Sequence, residues 1–260
     1  MATKSLLSVT ELLEQSWSHV QTHAHVLMKR SSWFIALGLG SFGLHALAYV
    51  FPDSISPVLR LIDAIGIQII GTTWVTLRLT QAILSQETGD TRLDKPSRRL
   101  FGSYLLVSML VGLATLGGSI VFLFPGIWLG VALSFASLLL IEDDRRGTQA
   151  LAASVDLVKG RWWATFIRLA VPGFVILCLY FLATNLLNGI VSLIAGYNPA
   201  DVVAEYAAQF WWSAPPKQVL MALGASQAIS AIVLTFFTPL FISLSTQLFH
   251  DLKKTKVRTS

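Results

Sequence analysis

The chain has 260 residues, of which 54% are hydrophobic and only 13% charged, with a formal net charge of +5. Soluble domains carry about 25% charged residues, so this composition lacks the polar surface to cover a globule and excludes an ordinary water-soluble fold. The basic residues sit at the ends of apolar runs rather than in one continuous patch, which points to membrane topology and away from nucleic acid.

Residues 9–28 carry Val9, Leu13, Trp17, Val20, Ala24 and Leu27 on one helical stripe, with Glu11, Glu14, His19 and His25 elsewhere. The pattern predicts an amphipathic helix on the membrane surface, closed by Lys29 and Arg30. This stretch has no central apolar region, so the N-terminus is expected to be retained rather than cleaved as a signal. Residues 31–50 supply a first span, and a turn at Pro52 leads to a second over 58–84 that contains Arg60, Asp63, Gln68 and Arg78. The connection 85–99 is strongly basic, and a third span follows over 100–123. The Phe124-Pro125-Gly126 turn feeds a fourth span over 125–141, which stops at Glu142, Asp143, Asp144, Arg145 and Arg146.

Leu151, Ser154/Val155 and Val158 then recur at helical spacing and predict a second interfacial helix over 148–160. The long apolar run 162–194, interrupted by Pro172-Gly173, makes one tilted or kinked fifth span. Residues 201–212 are too polar to cross and read as a loop or surface helix anchored by Trp211 and Trp212. A sixth span covers 218–248, bent at Pro239, before a basic tail. The reading is an all-α polytopic membrane protein, about six transmembrane helices plus two amphipathic interfacial helices, in one domain over 1–260. Cys178 is the only cysteine and lies in an apolar run, so no internal disulfide is available.

Lysine and arginine asymmetry predicts the cytoplasmic (inner) membrane with both termini cytoplasmic. Arg92, Lys95, Arg98, Arg99, Arg145, Arg146, Lys159, Arg161, Lys253 and Lys254 then gather on the inner leaflet as candidate contacts for anionic lipid. A weak internal repeat supports the layout. The stretches beginning SVTELLEQSW and GTQALAASVD each run from an amphipathic helix through basic residues and Trp into a span, and KPSRRLFGSYLL is a degenerate third copy.

Polar residues within spans often line bundle interiors, which makes Arg60, Asp63, Gln68, Arg78, Asn185 and Asn188 candidates for a polar interior. Interhelical hydrogen bonding is the plainer use for such groups. Gly126 and Gly130 form one GxxxG, and Gly38, Gly40 and Gly43 leave a small surface on the first span, both read as places of close backbone approach. His19 and His23 lie one helical turn apart without a completing ligand set, so they read as a solvated polar face and no metal is assigned. No phosphate-binding loop, zinc-protease motif or nucleophile elbow occurs, so no catalytic residue and no cofactor is assigned.

The order FPGIWLG, SFASLLLIED, a helix with Ala150-Leu151 and Ser154, then Lys159-Gly160-Arg161-Trp162, together with the ending TPLFISLSTQLFHDLKK, resembles a bacterial and archaeal multi-pass group. That group is the membrane domain found with glycerophosphoryl diester phosphodiesterases and related six-span inner-membrane families. Phe249-His250 stands where the family pattern often has a Tyr before the terminal Asp. The phosphodiesterase activity of the fused proteins belongs to a separate soluble barrel, so the resemblance implies a membrane module and no catalytic residues here.

The sequence therefore predicts a non-enzymatic membrane protein that acts as a scaffold, a docking partner or a lipid-organising module. Its expected partners are membrane lipids and a membrane or cytoplasmic protein, with no nucleic acid. A transporter or lipid-translocating protein that uses the polar residues within the bundle is the alternative. The oligomeric state is not legible.

Overall fold

The computed structural model describes residues 6–51, 55–95, 98–195 and 217–257. The surface segment expected at 201–212, with Trp211 and Trp212, lies outside them. No strand occurs among the described residues. Among the described residues six helical segments are long and apolar enough to cross a membrane: Ala24–Val50, Ser56–Thr88, Arg99–Ile120, Leu123–Asp143, Trp162–Ile194 and Leu220–Lys256. The protein is an all-α polytopic membrane protein.

Helix α1, Val9–Thr22, starts at a reciprocal cap. Glu11 N–H donates to Ser8 Oγ at 3.2 Å, and Ser8 N–H donates to Glu11 Oε2 at 2.8 Å. The expected single helix over 9–28 is instead two, because the chain breaks at His23 before α2, Ala24–Ser31. The second of these runs on into the first crossing segment, which α3, Trp33–Val50, completes.

The second crossing segment is built from α4, Ser56–Ile62, a π-helical stretch Asp63–Gly71, and α5, Thr72–Thr88. Helix α6, Arg98–Val121, is the third. The fourth is broken into α7, Leu123–Leu133, and α8, Ala136–Asp143. Helix α9, Thr148–Val158, is flanked by Gly147 at φ 53° and Gly160 at φ 79°, a backbone region that glycine enters without steric cost. Helices α10, Trp162–Ala195, and α11, Lys217–Val257, have 34 and 41 residues and run unbroken through Pro172 and Pro239.

The chain divides into two compact units. The first comprises residues 1–27, 77–175 and 239–260. Its core centres on Phe135 and Phe249, both fully buried with ring centroids 6.0 Å apart, surrounded by Leu12, Leu140, Leu157 and Leu248. Helix α9 presents Ala150, Ala153, Ser154, Leu157 and Val158 to this core and packs against α6, α7 and α8.

Ser154 is the polar member of that face and closes the break between α7 and α8. Its hydroxyl donates to the Ala132 carbonyl at 2.7 Å and accepts from the Phe135 N–H at 3.2 Å, so the interrupted helix leaves neither group orphaned. Gly126 of α7 lies against Ser119 of α6, where a Cβ would come within 2.8 Å of the Ser119 Cα. The close approach read from the glycines is thus a helix crossing inside this unit. Trp162 stacks on Phe166 at 5.2 Å, and its indole N–H donates to the Trp128 carbonyl at 3.2 Å.

The second unit comprises residues 28–76 and 176–238. Phe34, Val75 and Ala231 form its small core. Gly38 faces Ala228 and Ala231, with the Ala231 Cβ 2.5 Å from where a glycine Cβ would stand. Small residues again permit close backbone contact. Gln227 joins two neighbours here: Ser41 donates to its Oε1, and Gln68 Nε2 donates to the same oxygen at 3.0 Å.

Candidate functional site

The polar residues predicted for a bundle interior have separate uses. Asn185 and Asn188 donate to the carbonyls of Phe181 and Thr184, one turn back on their own helix. Gln68 meets Gln227, a residue the sequence did not single out. Asp63 is buried, and its Oδ1 and the Nε of Arg60 have no hydrogen-bond partner among the described residues. Arg78 lies in the other unit and holds the basic connection. Its Nη1 donates to Gln81 Oε1 at 3.0 Å and to the Asp94 carbonyl at 2.9 Å. Buried Gln81 adds bonds to the carbonyls of Leu93 and Lys95. Gln68 thus bonds between helices, whereas Asn185 and Asn188 bond only within their own helix.

A polar cluster lies in the first unit, where α5, α8 and α11 end. His250 of α11 stands between two carboxylates. Its Nδ1 lies 3.2 Å from Glu87 Oε2 at the end of α5, and its Nε2 lies 3.0 Å from Glu142 Oε2 at the end of α8. A carboxylate only accepts, so both ring nitrogens act as donors and the ring is an imidazolium. Lys253, one turn further on, donates to Glu142 Oε1 at 2.8 Å and Asp143 Oδ1 at 2.9 Å and sits 5.1 Å from the Phe249 ring centroid. One histidine and one lysine therefore tie three helix ends together. Oε1 of Glu87 is buried without a hydrogen-bond partner among the described residues.

The N-terminal stretch joins the same region. Leu7 N–H donates to Asp251 Oδ2 at 2.9 Å, and Arg168 donates to the carbonyls of Leu7 and Leu6 at 2.6 and 3.2 Å. A cavity of about 400 Å³ opens beside these contacts, lined by residues of α1, α5 and α11 that include Gln15, Glu87 and His250. His19, on α1, is half-buried, and desolvation holds its ring below the ordinary imidazole range, opposed by nearby Glu87 and assisted by His23. The His19 and His23 rings are 4.6 Å apart, and His23 Nδ1–H donates to the His19 carbonyl at 3.1 Å. No group of three His, Cys, Asp or Glu side chains placed to hold a metal occurs among the described residues.

The cations expected at lipid headgroups divide into committed and uncommitted sets. Arg161 donates to Thr255, Lys253 is held as above, and Arg92 and Arg146 pair with Asp90 and Asp144 at 2.9 Å each. Lys95, Arg99, Arg145, Lys159 and Lys254 are exposed. The Arg98 side chain lies outside the described residues.

Sequence reasoning missed Glu87 and His250 because they are polar residues at helix ends, where solvation is the ordinary expectation. Glu142 was visible only as part of a charged stop. No protein-family model, curated protein or solved structure matches the chain.

Proposed function

We propose that this membrane protein is a non-catalytic lipid-organising module of the cytoplasmic membrane, with both termini in the cytoplasm and its basic connections against the inner leaflet. The observation that carries the reading is the set Lys95, Arg99, Arg145, Lys159 and Lys254, exposed cations that make no ion pair among the described residues. Each cation near an anionic leaflet contributes about 1 kcal/mol. Such a set gathers anionic headgroups without any catalytic group. We extend the proposal to kinship with the membrane domain that accompanies glycerophosphoryl diester phosphodiesterases, supported by the residues 123–163 and 238–254 that carry the resemblance.

The test is retention of lipid by the purified full-length protein. It is reconstituted in bilayers of mixed phosphatidylcholine and phosphatidylglycerol, and bound lipid is counted by native mass spectrometry. Enrichment of phosphatidylglycerol is expected, and it drops when Lys95, Arg99, Arg145 and Lys159 are all replaced by Gln. Equal phosphatidylglycerol in both proteins refutes the reading. Tags at the two ends, probed in intact cells, test the orientation separately.

A further inference from the structure

Two side-chain atoms in the first unit are buried without a hydrogen-bond partner among the described residues: Nε2 of His19 on α1 and Oε1 of Glu87 at the end of α5. The two side chains are near enough for the charge of Glu87 to act on the His19 ring. Most buried polar atoms in folded proteins are paired, so an unpaired couple calls for an explanation. A protonated ring nitrogen donates and a carboxylate oxygen only accepts, so each supplies what the other lacks once His19 is charged. Gln86 Oε1, one residue earlier on α5, is also unpaired, but an uncharged amide oxygen attracts an imidazolium less than a carboxylate does.

The elements packed against α1 bring the other charges. From α11, His250 holds Glu87 Oε2 and Glu142, Asp251 accepts the Leu7 amide, and Lys254 is exposed. Glu87 is thus the carboxylate with a buried oxygen still unused. On α1 itself the His23 ring lies 4.6 Å from His19, where a second positive charge would repel the first, so the two rings favour a single proton. The cavity of about 400 Å³ between α1, α5 and α11 gives the space for a movement. The break at His23 gives the freedom, because the last turn of α1, which carries His19, is not continuous with α2.

We propose that His19 and Glu87 form an acid-triggered latch, in which a proton on His19 makes a charge-assisted hydrogen bond from its Nε2 to Glu87 Oε1 and draws the last turn of α1 onto the end of α5. Glu87 then stands between two imidazolium rings, with one oxygen on each. Desolvation holds the His19 ring below 6.5 while the latch is open, so it is open at neutral pH and closes on the acid side of that value. The latch is independent of the lipid-organising reading.

The full-length Cys178→Ser protein in detergent carries spin labels at Ser18→Cys, in the last part of α1, and Thr88→Cys, at the end of α5. The distance between them is read by pulsed dipolar spectroscopy from about pH 8 to about pH 5. It is expected to shorten as pH falls below 6.5. His19→Gln and Glu87→Gln are each expected to keep the neutral-pH distance throughout. The Tm of each variant at the alkaline end of the series shows that it is folded. A distance that does not change with pH overturns the proposal, as does a shortening that persists in His19→Gln. A shortening lost in His19→Gln but kept in Glu87→Gln overturns it as well, since the proton would then act on another acceptor.

Discussion

Nδ1 of His250 lies 3.2 Å from Oε2 of Glu87, and the side chains are only 20% and 10% exposed. A charge pair so placed is expensive to half-remove, because the partner left behind keeps its desolvation cost without its counter-ion. His250→Leu strands both Glu87 and Glu142 and is expected to lower stability by about 3 kcal/mol, the lower end of the range for breaking buried pairs since neither carboxylate is fully enclosed. Adding Glu87→Gln should return part of that loss. Tm of the two single variants and the double variant in detergent measures the coupling, and strictly additive effects would remove the argument.

Helix α1 predicts a pH dependence of its own. Desolvation holds the folded His19 pKa below its ordinary value of 6.5, so between the two values the unfolded chain binds the extra proton. Stability therefore rises with pH through that window. The contribution is fully present above 6.5 and declines as pH falls below it. A Tm series from about pH 8 to about pH 5 should show this limb, and His19→Gln should flatten it. An unchanged slope in His19→Gln would place the dependence elsewhere.

The α6–α7 crossing tests the glycine reading. Gly126 faces Ser119 so closely that any side chain must displace it, and the Ser119 backbone itself lies 2.8 Å from the added Cβ position. Gly126→Val is expected to cost about 2–3 kcal/mol, the scale of overpacking a tight contact. Gly130→Ala, with its nearest neighbour at 3.5 Å, should cost little. Comparing the two Tm values in detergent checks the contrast, and equal shifts would contradict it.

Apolar runs made the six crossing segments legible, because a bilayer demands about 20 apolar residues and little else. Finer features depended on contacts that no local pattern contains. The Ser8–Glu11 cap follows a readable S-x-x-E spacing. Ser16 and Ser154 are fully buried, each spent on a partner that only the fold supplies: Gln247 for Ser16, and Ala132 with Phe135 for Ser154. Arg78 reads as an interior charge because it sits in an apolar run, but its long side chain reaches the carbonyl of Asp94 instead. Pro172 and Pro239 suggest interruptions, yet each removes only one backbone donor, and the helix continues on both sides.

The bond from Ser154 to the α7–α8 break also bears on how the chain is made. Until α9 reaches it, the Phe135 N–H within the fourth crossing segment has no Ser154 oxygen to accept it, and an orphaned backbone donor in hydrocarbon costs several kcal/mol. The residue that relieves that cost lies 19 positions downstream and leaves the ribosome later. Membrane insertion of this segment and synthesis of the following helix are therefore coupled, and a nascent chain halted before Ser154 should hold its fourth segment unfinished.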